Sequence, residues 1–140
     1  FAGRMPLPEH LARQKLADLF IDTVPYNAHT TGSEALWCGV PLLTISGESF
    51  ASRVGASLLT ALGFPDLIAN SLEEYESTLL HLMQHQDELT EIRSKVEKLK
   101  STSPLFNAKQ YAKNIESAYK KAFELALQGK KPENIYIENV

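Results

Sequence analysis

Short apolar runs alternate with turns of small residues in the first seventy residues, and this alternation restricts the fold more than any other feature. Residues 19–22 and 41–45 are short, almost wholly apolar and bounded by turn-forming residues, which predicts two strands buried on both faces. Residues 31–38, between them, have a helical pattern that ends at Gly39. A strand, a helix and a second strand at this spacing predict a βαβ unit with parallel strands.

The same alternation continues to residue 70 and predicts an α/β fold. A second helix is expected over residues 50–62, ending at Gly63, and residues 64–69 are a candidate third strand. Two or three strands make a small parallel sheet. Because the chain also begins without Met, we expect further strands upstream of residue 1 in a longer protein.

The rest of the chain is predicted to be mostly helical. Ser71 and Glu74 have the spacing of a capping box at the start of a helix. Apolar residues recur at helical spacing in three stretches, namely Leu72, Tyr75, Leu79 and Leu82, then Leu89, Ile92, Val96 and Leu99, and finally Tyr111, Ile115, Ala118, Ala122 and Leu125. The last helix is expected to run from Asn107 to Gly129.

These patterns divide the chain into three expected parts. Residues 1–70 form the α/β segment, and residues 71–129 form a helical C-terminal extension that is interrupted at residues 101–104. Residues 130–140 form a tail without clear periodicity.

Composition argues against several classes of protein. The 140 residues carry 14 Lys and Arg against 17 Asp and Glu, a net charge of −3, so no nucleic-acid partner is expected. No apolar run approaches the ~20 residues that span a membrane. The first ten residues also lack the pattern of a signal peptide. Cys38 is the only cysteine, which rules out an internal disulfide and fits a reducing compartment, so a cytoplasmic protein without membrane contact is expected.

The segment 22–34, DTVPYNAHTTGSE, contains the candidate ligand-binding residues. It leaves the C-terminal end of a predicted strand and enters a helix at Thr30 or Thr31, which is where open α/β sheets bind ligands. The first N–H groups of a helix and its dipole attract anions, and the two threonine hydroxyls and His29 add donors. Gly32 would let a phosphate approach the backbone, and Glu34 could accept from the two hydroxyls of a ribose. The pattern is typical of a site for a diphosphate and a ribose.

The same residues have a purely structural interpretation. Thr31 and Glu34 have the spacing of a helix capping box, which needs no ligand, and His29 could simply close the turn. The residues by themselves leave both interpretations open.

Residues 29–59 resemble the C-terminal catalytic region of the O-GlcNAc transferase family, including its bacterial members and the plant SPINDLY proteins; they read HTTGSEALWCGVPLLTISGESFASRVGASLL. The resemblance extends back through residues 8–22 (PEHLARQKLADLFID). It continues forward through residues 63–76 and 103–111 (SPLFNAKQY) to the final helix, and so it covers most of the chain.

The resemblance implies a GT-B glycosyltransferase, with two Rossmann-like domains facing a cleft and helical TPR repeats in front of them. This chain would supply the second half of the second domain, as a partial Rossmann-like parallel sheet. The reaction implied is transfer of N-acetylglucosamine from UDP-GlcNAc to Ser or Thr of an acceptor protein, with no metal and no other cofactor. The family's phosphate-binding lysine and acceptor-side residues would precede residue 1, so this chain alone is expected to be inactive and to contain no catalytic residue.

The resemblance also implies roles for particular residues. Donor-binding positions of the family fall on His10, Arg13, His29, Thr30, Thr31 and Glu34. The first two would lie near the nucleotide base or phosphates, the next three on the diphosphate and the last on the ribose. Many animal relatives have a second basic residue just before Arg13, where this chain has Ala12, so that contact stays open.

Two other functions fit the same residues. A SPINDLY-like enzyme would use another donor such as GDP-fucose, although relatives in that branch tend to lack the histidine found here at His29. A module that binds a nucleotide or a protein without catalysis is a different class of function. The reading frame upstream of residue 1 would distinguish an enzyme from a module.

Several further residues are expected to be structural. Ser49 should cap the helix after the second strand, with Arg53 paired to Glu48. Cys38 and Trp37 are expected in the core.

Two pairs of residues could be mistaken for a metal site and a catalytic pair, but both are expected to be structural. His81 and His85 have metal-ligand spacing but no third ligand nearby, so a solvated helix face is expected. Asp18 is expected to help end the first helix, and Asp22 to fix the following loop through backbone hydrogen bonds.

Overall fold

The computed structural model describes residues 3–137 and divides the chain into two compact units after Ser103. The first unit contains α1 (Leu7–Gln14), β1 (Phe20–Ile21), α2 (Thr30–Trp37), β2 (Leu42–Ile45), α3 (Val54–Leu62), β3 (Ile68–Ala69), α4 (Leu72–Gln84) and α5 (Gln86–Leu99). The second unit contains α6 (Ala108–Leu127). Single 3-10 turns lie at Phe50–Ser52, Pro65–Leu67 and Pro104–Phe106.

The sheet is parallel, with β2 between β1 and β3. Phe20 lies opposite Leu42, and Thr44 lies opposite Ile68. All four residues of β2 are buried, as its apolar sequence predicts for a central strand covered on both faces. The predicted α/β fold, the parallel pair and the third strand are therefore confirmed. The two outer strands are shorter than predicted, at two residues each.

The helices on either side of β2 begin and end near the predicted residues. α2 starts at Thr30, within the predicted range. α3 starts at Val54 rather than at residue 50, because a 3-10 turn capped by the Ser49 hydroxyl occupies the intervening residues. Gly63 ends α3 with φ of +84°, a left-handed conformation that glycine adopts without strain.

The core of the first unit consists of aliphatic side chains from the sheet and the helices that cover it. Its most deeply buried members include Leu36, Leu42, Leu43, Leu59, Leu62 and Leu82. Trp37 is not among them, since 51% of it is exposed, and the prediction that it packs in the core is wrong. Consecutive helical residues point about 100° apart, so burying Leu36 turns Trp37 outwards, where the Lys100 ammonium lies 5.9 Å from its ring.

Helices α4 and α5 belong to the first unit. α4 packs on β2 and β3, and Leu89, Ile92 and Val96 form the buried face of α5, as their spacing predicts. The helical stretch from residue 71 to Ser103 lies in the same compact unit as the sheet. Leu72, expected on the apolar face of α4, is exposed because it lies in the first turn.

The predicted cap by Ser71 at the start of α4 is confirmed, while the Glu74 carboxylate bonds one residue earlier than a capping box requires. The Ser71 hydroxyl accepts a hydrogen bond from the Glu74 N–H at 3.1 Å. The Glu74 carboxylate in turn accepts from the backbone N–H of Asn70 at 2.7 Å.

The second unit is built on one long helix. The Asn107 side chain caps α6 by accepting from the Gln110 N–H at 3.1 Å. Residues 131–137 follow without regular structure, and Lys121 donates to the Tyr136 carbonyl at 3.0 Å. Residues 138–140 of the predicted tail lie outside the described residues.

Candidate nucleotide-binding site

A loop of residues 22–29, here called the site loop, joins the C-terminal end of β1 to the start of α2. Asp22 organises it from a buried position, with 4% of the residue exposed. Its Oδ1 accepts from the backbone N–H groups of Thr23 at 2.8 Å and Ala28 at 2.6 Å. Its Oδ2 accepts from the Thr44 hydroxyl at 2.6 Å, which fastens the loop to β2. The predicted loop-fixing role of Asp22 is confirmed.

Asn27 is the second buried polar residue of the site loop, at 1% exposure. Its backbone N–H donates to the Ala51 carbonyl at 2.9 Å, and its Oδ1 accepts from the Gly55 N–H at 3.4 Å. Its amide nitrogen donates to the Thr23 carbonyl at 3.1 Å. Asn27 therefore ties the site loop to the segment that follows β2. This role was not expected from the sequence, because an asparagine in a loop looks like an ordinary turn residue.

Gly55 and Tyr75 complete the packing around Asp22. A Cβ added to Gly55 would lie 2.5 Å from Asp22 Oδ2, so only glycine leaves room for the carboxylate. From α4, the Tyr75 hydroxyl donates to the Asp22 carbonyl at 2.7 Å. Burial, and secondly the negative charge of Asp22, raise the pKa of Tyr75 above its ordinary value.

The start of α2 has no side-chain cap. The first helical hydrogen bond is donated by the Ser33 N–H to the His29 carbonyl at 3.1 Å. Within residues 3–137, the N–H groups of Thr30, Thr31 and Gly32 have no acceptor. The capping-box interpretation is therefore wrong, and donors at the positive end of the helix dipole are left available to a ligand.

Gly32 has a packing role at the start of α2. A Cβ at this position would lie 3.3 Å from both the Ala28 Cβ and a methyl group of Leu58. The absent side chain therefore allows α2 to pack closely on its surroundings, and the approach of a phosphate to the Gly32 backbone stays a prediction. Thr30 and Thr31, in contrast, are exposed.

Glu34 lies one turn further along α2. Its carboxylate lies near His10 of α1 instead of bonding to the backbone at the start of α2. Its Oε2 lies 3.5 Å from His10 Nε2. The Arg13 guanidinium lies 3.1 Å from His10 Nδ1, and the Gln14 amide nitrogen lies 2.9 Å from His10 Nε2. Three residues of α1 and Glu34 of α2 thus form one polar cluster.

The imidazole of His29 lies between two aromatic rings. The Tyr26 ring is stacked on it, with centroids 4.9 Å apart and planes at 15°. The Phe50 ring meets it edge-on, with centroids 5.9 Å apart and planes at 88°. His29 Nε2 is buried and has no hydrogen-bond partner among residues 3–137. Neither aromatic residue was expected at the site from the sequence.

All six residues that the resemblance implies at a donor site lie in the first unit. His29, Thr30 and Thr31 are at the start of α2, and the His10–Arg13–Glu34 cluster lies against the next turn.

The remaining predictions at the sheet edge have mixed outcomes. Ser49 caps the turn after β2, but Arg53 makes no ion pair with Glu48, although both lie in the described part of the chain. The predicted pairing of Arg53 with Glu48 is therefore wrong. Asp18 does not end α1 either. Arg93 of α5 does so, by donating to the carbonyls of Lys15 and Ala17.

The other cysteine and histidine predictions are confirmed. Cys38 is buried, and its thiol donates to the Leu11 carbonyl at 3.3 Å. His81 and His85 are exposed and stacked on each other, and His81 Nε2 lies 2.6 Å from the Glu88 carboxylate. Among the described residues, no three His, Cys, Asp or Glu side chains are grouped so that they could hold a metal ion.

No helix within residues 3–137 is both long and apolar enough to cross a membrane.

A parallel sheet whose strand ends lead into an uncapped helix start defines a Rossmann-like α/β domain. Residues 1–115 match the sequence profile of glycosyl transferase family 41. The chain belongs to this family.

Relatives support the assignment over most of the chain. A probable UDP-N-acetylglucosamine–peptide N-acetylglucosaminyltransferase of Arabidopsis thaliana, SEC, is 38% identical over 130 residues, which are 92% of this chain and 13% of the relative. The UDP-N-acetylglucosamine–peptide N-acetylglucosaminyltransferase of Caenorhabditis elegans is 44% identical over 108 residues, 77% of this chain and 9% of the relative. A SPINDLY protein of Solanum lycopersicum is 34% identical over 124 residues. The chain thus spans about a tenth of the length of these curated relatives.

A solved structure agrees with the fold. The O-GlcNAc transferase of Thermobaculum terrenum, determined as a point mutant, superposes with a TM-score of 0.82 at 31% identity. The match covers 91% of this chain and 25% of that chain. The expected membership of the O-GlcNAc transferase family and the GT-B fold are confirmed.

Proposed function

We propose that this chain forms the donor-nucleotide side of a protein O-glycosyltransferase, which transfers N-acetylglucosamine from UDP-GlcNAc to Ser or Thr hydroxyls. One observation carries the proposal: the start of α2 is uncapped and presents free N–H groups beside the Thr30 and Thr31 hydroxyls and His29. This arrangement lies at the carboxyl edge of a parallel sheet, in a chain of a glycosyltransferase family. Family membership supports the reaction, and the geometry supports the position of the diphosphate.

The chemical role of these donors is to stabilise the leaving group. When the bond between sugar and diphosphate breaks, negative charge develops on the diphosphate. Oriented N–H groups, the helix dipole and the two hydroxyls interact more strongly with this charge than with the intact donor. The proposal therefore needs no metal ion and no other cofactor.

The cluster beside α1 would hold the nucleoside. Glu34 has a carboxylate that can accept from both ribose hydroxyls, and the His10 ring, with its Nε2 3.5 Å from Glu34 Oε2, lies beside that carboxylate. Arg13 brings a permanent positive charge to the same side. We expect this cluster to rearrange little when it binds the ribose, because α1 and α2 already hold its members.

The remaining parts of the proposal concern the whole protein. The acceptor protein would be bound by regions that the longer relatives have in addition to this match. A cytoplasmic location is proposed on the composition alone. A GDP-sugar enzyme is not favoured, since the SPINDLY relative in tomato is itself named as a probable UDP-N-acetylglucosamine transferase.

Titration of the 15N-labelled 140-residue chain with UDP tests the site, with GDP in a parallel sample. We expect UDP to shift the backbone amide signals of Thr30, Thr31 and Gly32 first. Thr31→Val should weaken UDP binding by about one to two orders of magnitude, because a hydrogen bond to a charged group contributes about 1.5–3 kcal/mol.

The same substitution should leave the thermal melt unchanged, since Thr31 makes no capping hydrogen bond. Thr90→Val is the matched control, because Thr90 is an exposed helical threonine on α5 whose hydroxyl bonds only to its own helix. Unaltered UDP affinity in Thr31→Val, or UDP-induced shifts that lie elsewhere, would contradict the proposal.

A further inference from the structure

His29 is enclosed by aromatic rings from two different segments. Tyr26 belongs to the site loop, and Phe50 belongs to the turn that follows β2. Both side chains are largely exposed, at 63% and 76%, so neither contributes to the core. Their described ring contacts are with His29, one stacked and one edge-on. Both geometries are favourable for pairs of aromatic rings.

The fold fixes the separation of the two rings. The residue after Tyr26 is Asn27, whose backbone N–H donates to the carbonyl of Ala51 at 2.9 Å. Ala51 directly follows Phe50, so this backbone hydrogen bond joins the site loop to the turn after β2 at the positions next to Tyr26 and Phe50. The arrangement of the three rings is therefore set by the backbone and not only by contacts between exposed side chains.

One nitrogen of the enclosed His29 ring is closed to ligands. Nε2 is buried without a hydrogen-bond partner within the described part of the chain. A ligand therefore reaches the ring through Nδ1. A neutral imidazole carries a proton on one nitrogen and a lone pair on the other, so Nδ1 can donate to a phosphate oxygen when it carries the proton.

We infer that Tyr26 and Phe50 are positioning residues that hold His29 in one rotamer, with its proton on Nδ1, ready to donate to the diphosphate. The inference rests on the proposed function. Without the two rings the imidazole would have to be ordered when the ligand binds, and this ordering weakens affinity. The two residues act through His29 and are not required to touch the nucleotide themselves.

Single and double alanine variants of Tyr26 and Phe50 test the inference in the 140-residue chain. We expect each to weaken UDP binding by about 2- to 10-fold, the size of one aromatic contact. The melting temperature should stay the same, because both side chains are exposed. Tyr26→Phe keeps the stacked ring and should restore affinity. Phe123→Ala is the matched control, since this exposed phenylalanine lies on α6.

The tautomer of His29 gives a readout that a merely structural role would not change. Imidazole 15N shifts of the ligand-free wild type should show the proton on Nδ1, and the double variant should show a mixture of tautomers. A wild-type proton on Nε2 would overturn the inference. So would double-variant affinity equal to wild type while His29→Ala weakens UDP binding, and the proposed function would survive that result. If wild type shows no UDP binding at all, the proposed function itself fails.

Discussion

Replacing Asp22 by alanine tests how the site loop is held in place. The carboxylate accepts hydrogen bonds from the backbone of Thr23 and Ala28 and from the hydroxyl of Thr44. The three donors come from both ends of the loop and from β2. Alanine removes the acceptor of all three hydrogen bonds at once, and the fully buried Thr44 hydroxyl is then left without its acceptor.

The expected loss follows from these contacts. A hydrogen bond to a charged group contributes about 1.5–3 kcal/mol. The two backbone donors belong to partly exposed residues, and water can replace part of their loss, while removal of a buried charge recovers some desolvation energy. We therefore expect Asp22→Ala to reduce the free energy of unfolding by about 3–4 kcal/mol. Asp22→Asn retains an acceptor oxygen for the two N–H groups, so its loss should be about 1 kcal/mol.

Urea unfolding followed by Trp37 fluorescence measures this difference in the first unit, where Trp37 lies. Asp18→Ala is the matched control, because its side chain is 81% exposed and lies 3.7 Å from Arg93, and such a pair contributes little. In the wild type, the amide proton of Ala28 should resonate far downfield and exchange slowly, and Asp22→Ala should abolish both properties. A loss below about 1 kcal/mol in Asp22→Ala would refute the reasoning, since three hydrogen bonds to a buried charge cannot contribute so little.

Two further predictions concern Tyr75 and catalysis. The pKa of Tyr75 is raised in the folded protein, so its neutral form contributes stability below the ordinary value of 10.0, and this contribution is lost as pH rises through the raised pKa. The free-energy difference between wild type and Tyr75→Phe should therefore shrink in urea titrations above about pH 10, and a difference that is constant from pH 7 to 11 would contradict the assignment. The 140-residue chain alone should neither hydrolyse UDP-GlcNAc nor glycosylate peptides, because its described residues form one side of the expected cleft. UDP release by the pure chain, followed in a coupled assay, would show that the reaction site has been misplaced.

Local sequence patterns were sufficient to predict the strands and helices that position the candidate site. The sequence Leu-Leu-Thr-Ile of β2 is apolar enough to require cover on both faces, and such a strand, followed at a short distance by an amphipathic helix, forms a parallel sheet. Gly63 ends α3 because the left-handed conformation at that point suits glycine. The position of the helix start at the strand ends follows from the same local signals, and so does the expectation of an anion site there.

Tertiary structure decided which partners the polar side chains have. Thr31 and Glu34 have the local spacing of a capping box, yet Glu34 turns to His10 of α1, because packing places that ring within 3.5 Å. Tyr75 reaches the carbonyl of Asp22 across 53 positions of sequence, and Phe50 contacts His29 from the turn that follows β2 in the chain.

The physical reason is the range of the interactions involved. The period of apolar residues and the conformational preferences of glycine act within a few residues, so the sequence displays them directly. A hydrogen bond or ring contact between distant segments exists only after the core has packed and fixed their separation to within a few tenths of an ångström. The sequence alone therefore predicted an anion site at the start of α2, and only the packed structure determined that the helix start is left uncapped and that His29 lies between two rings.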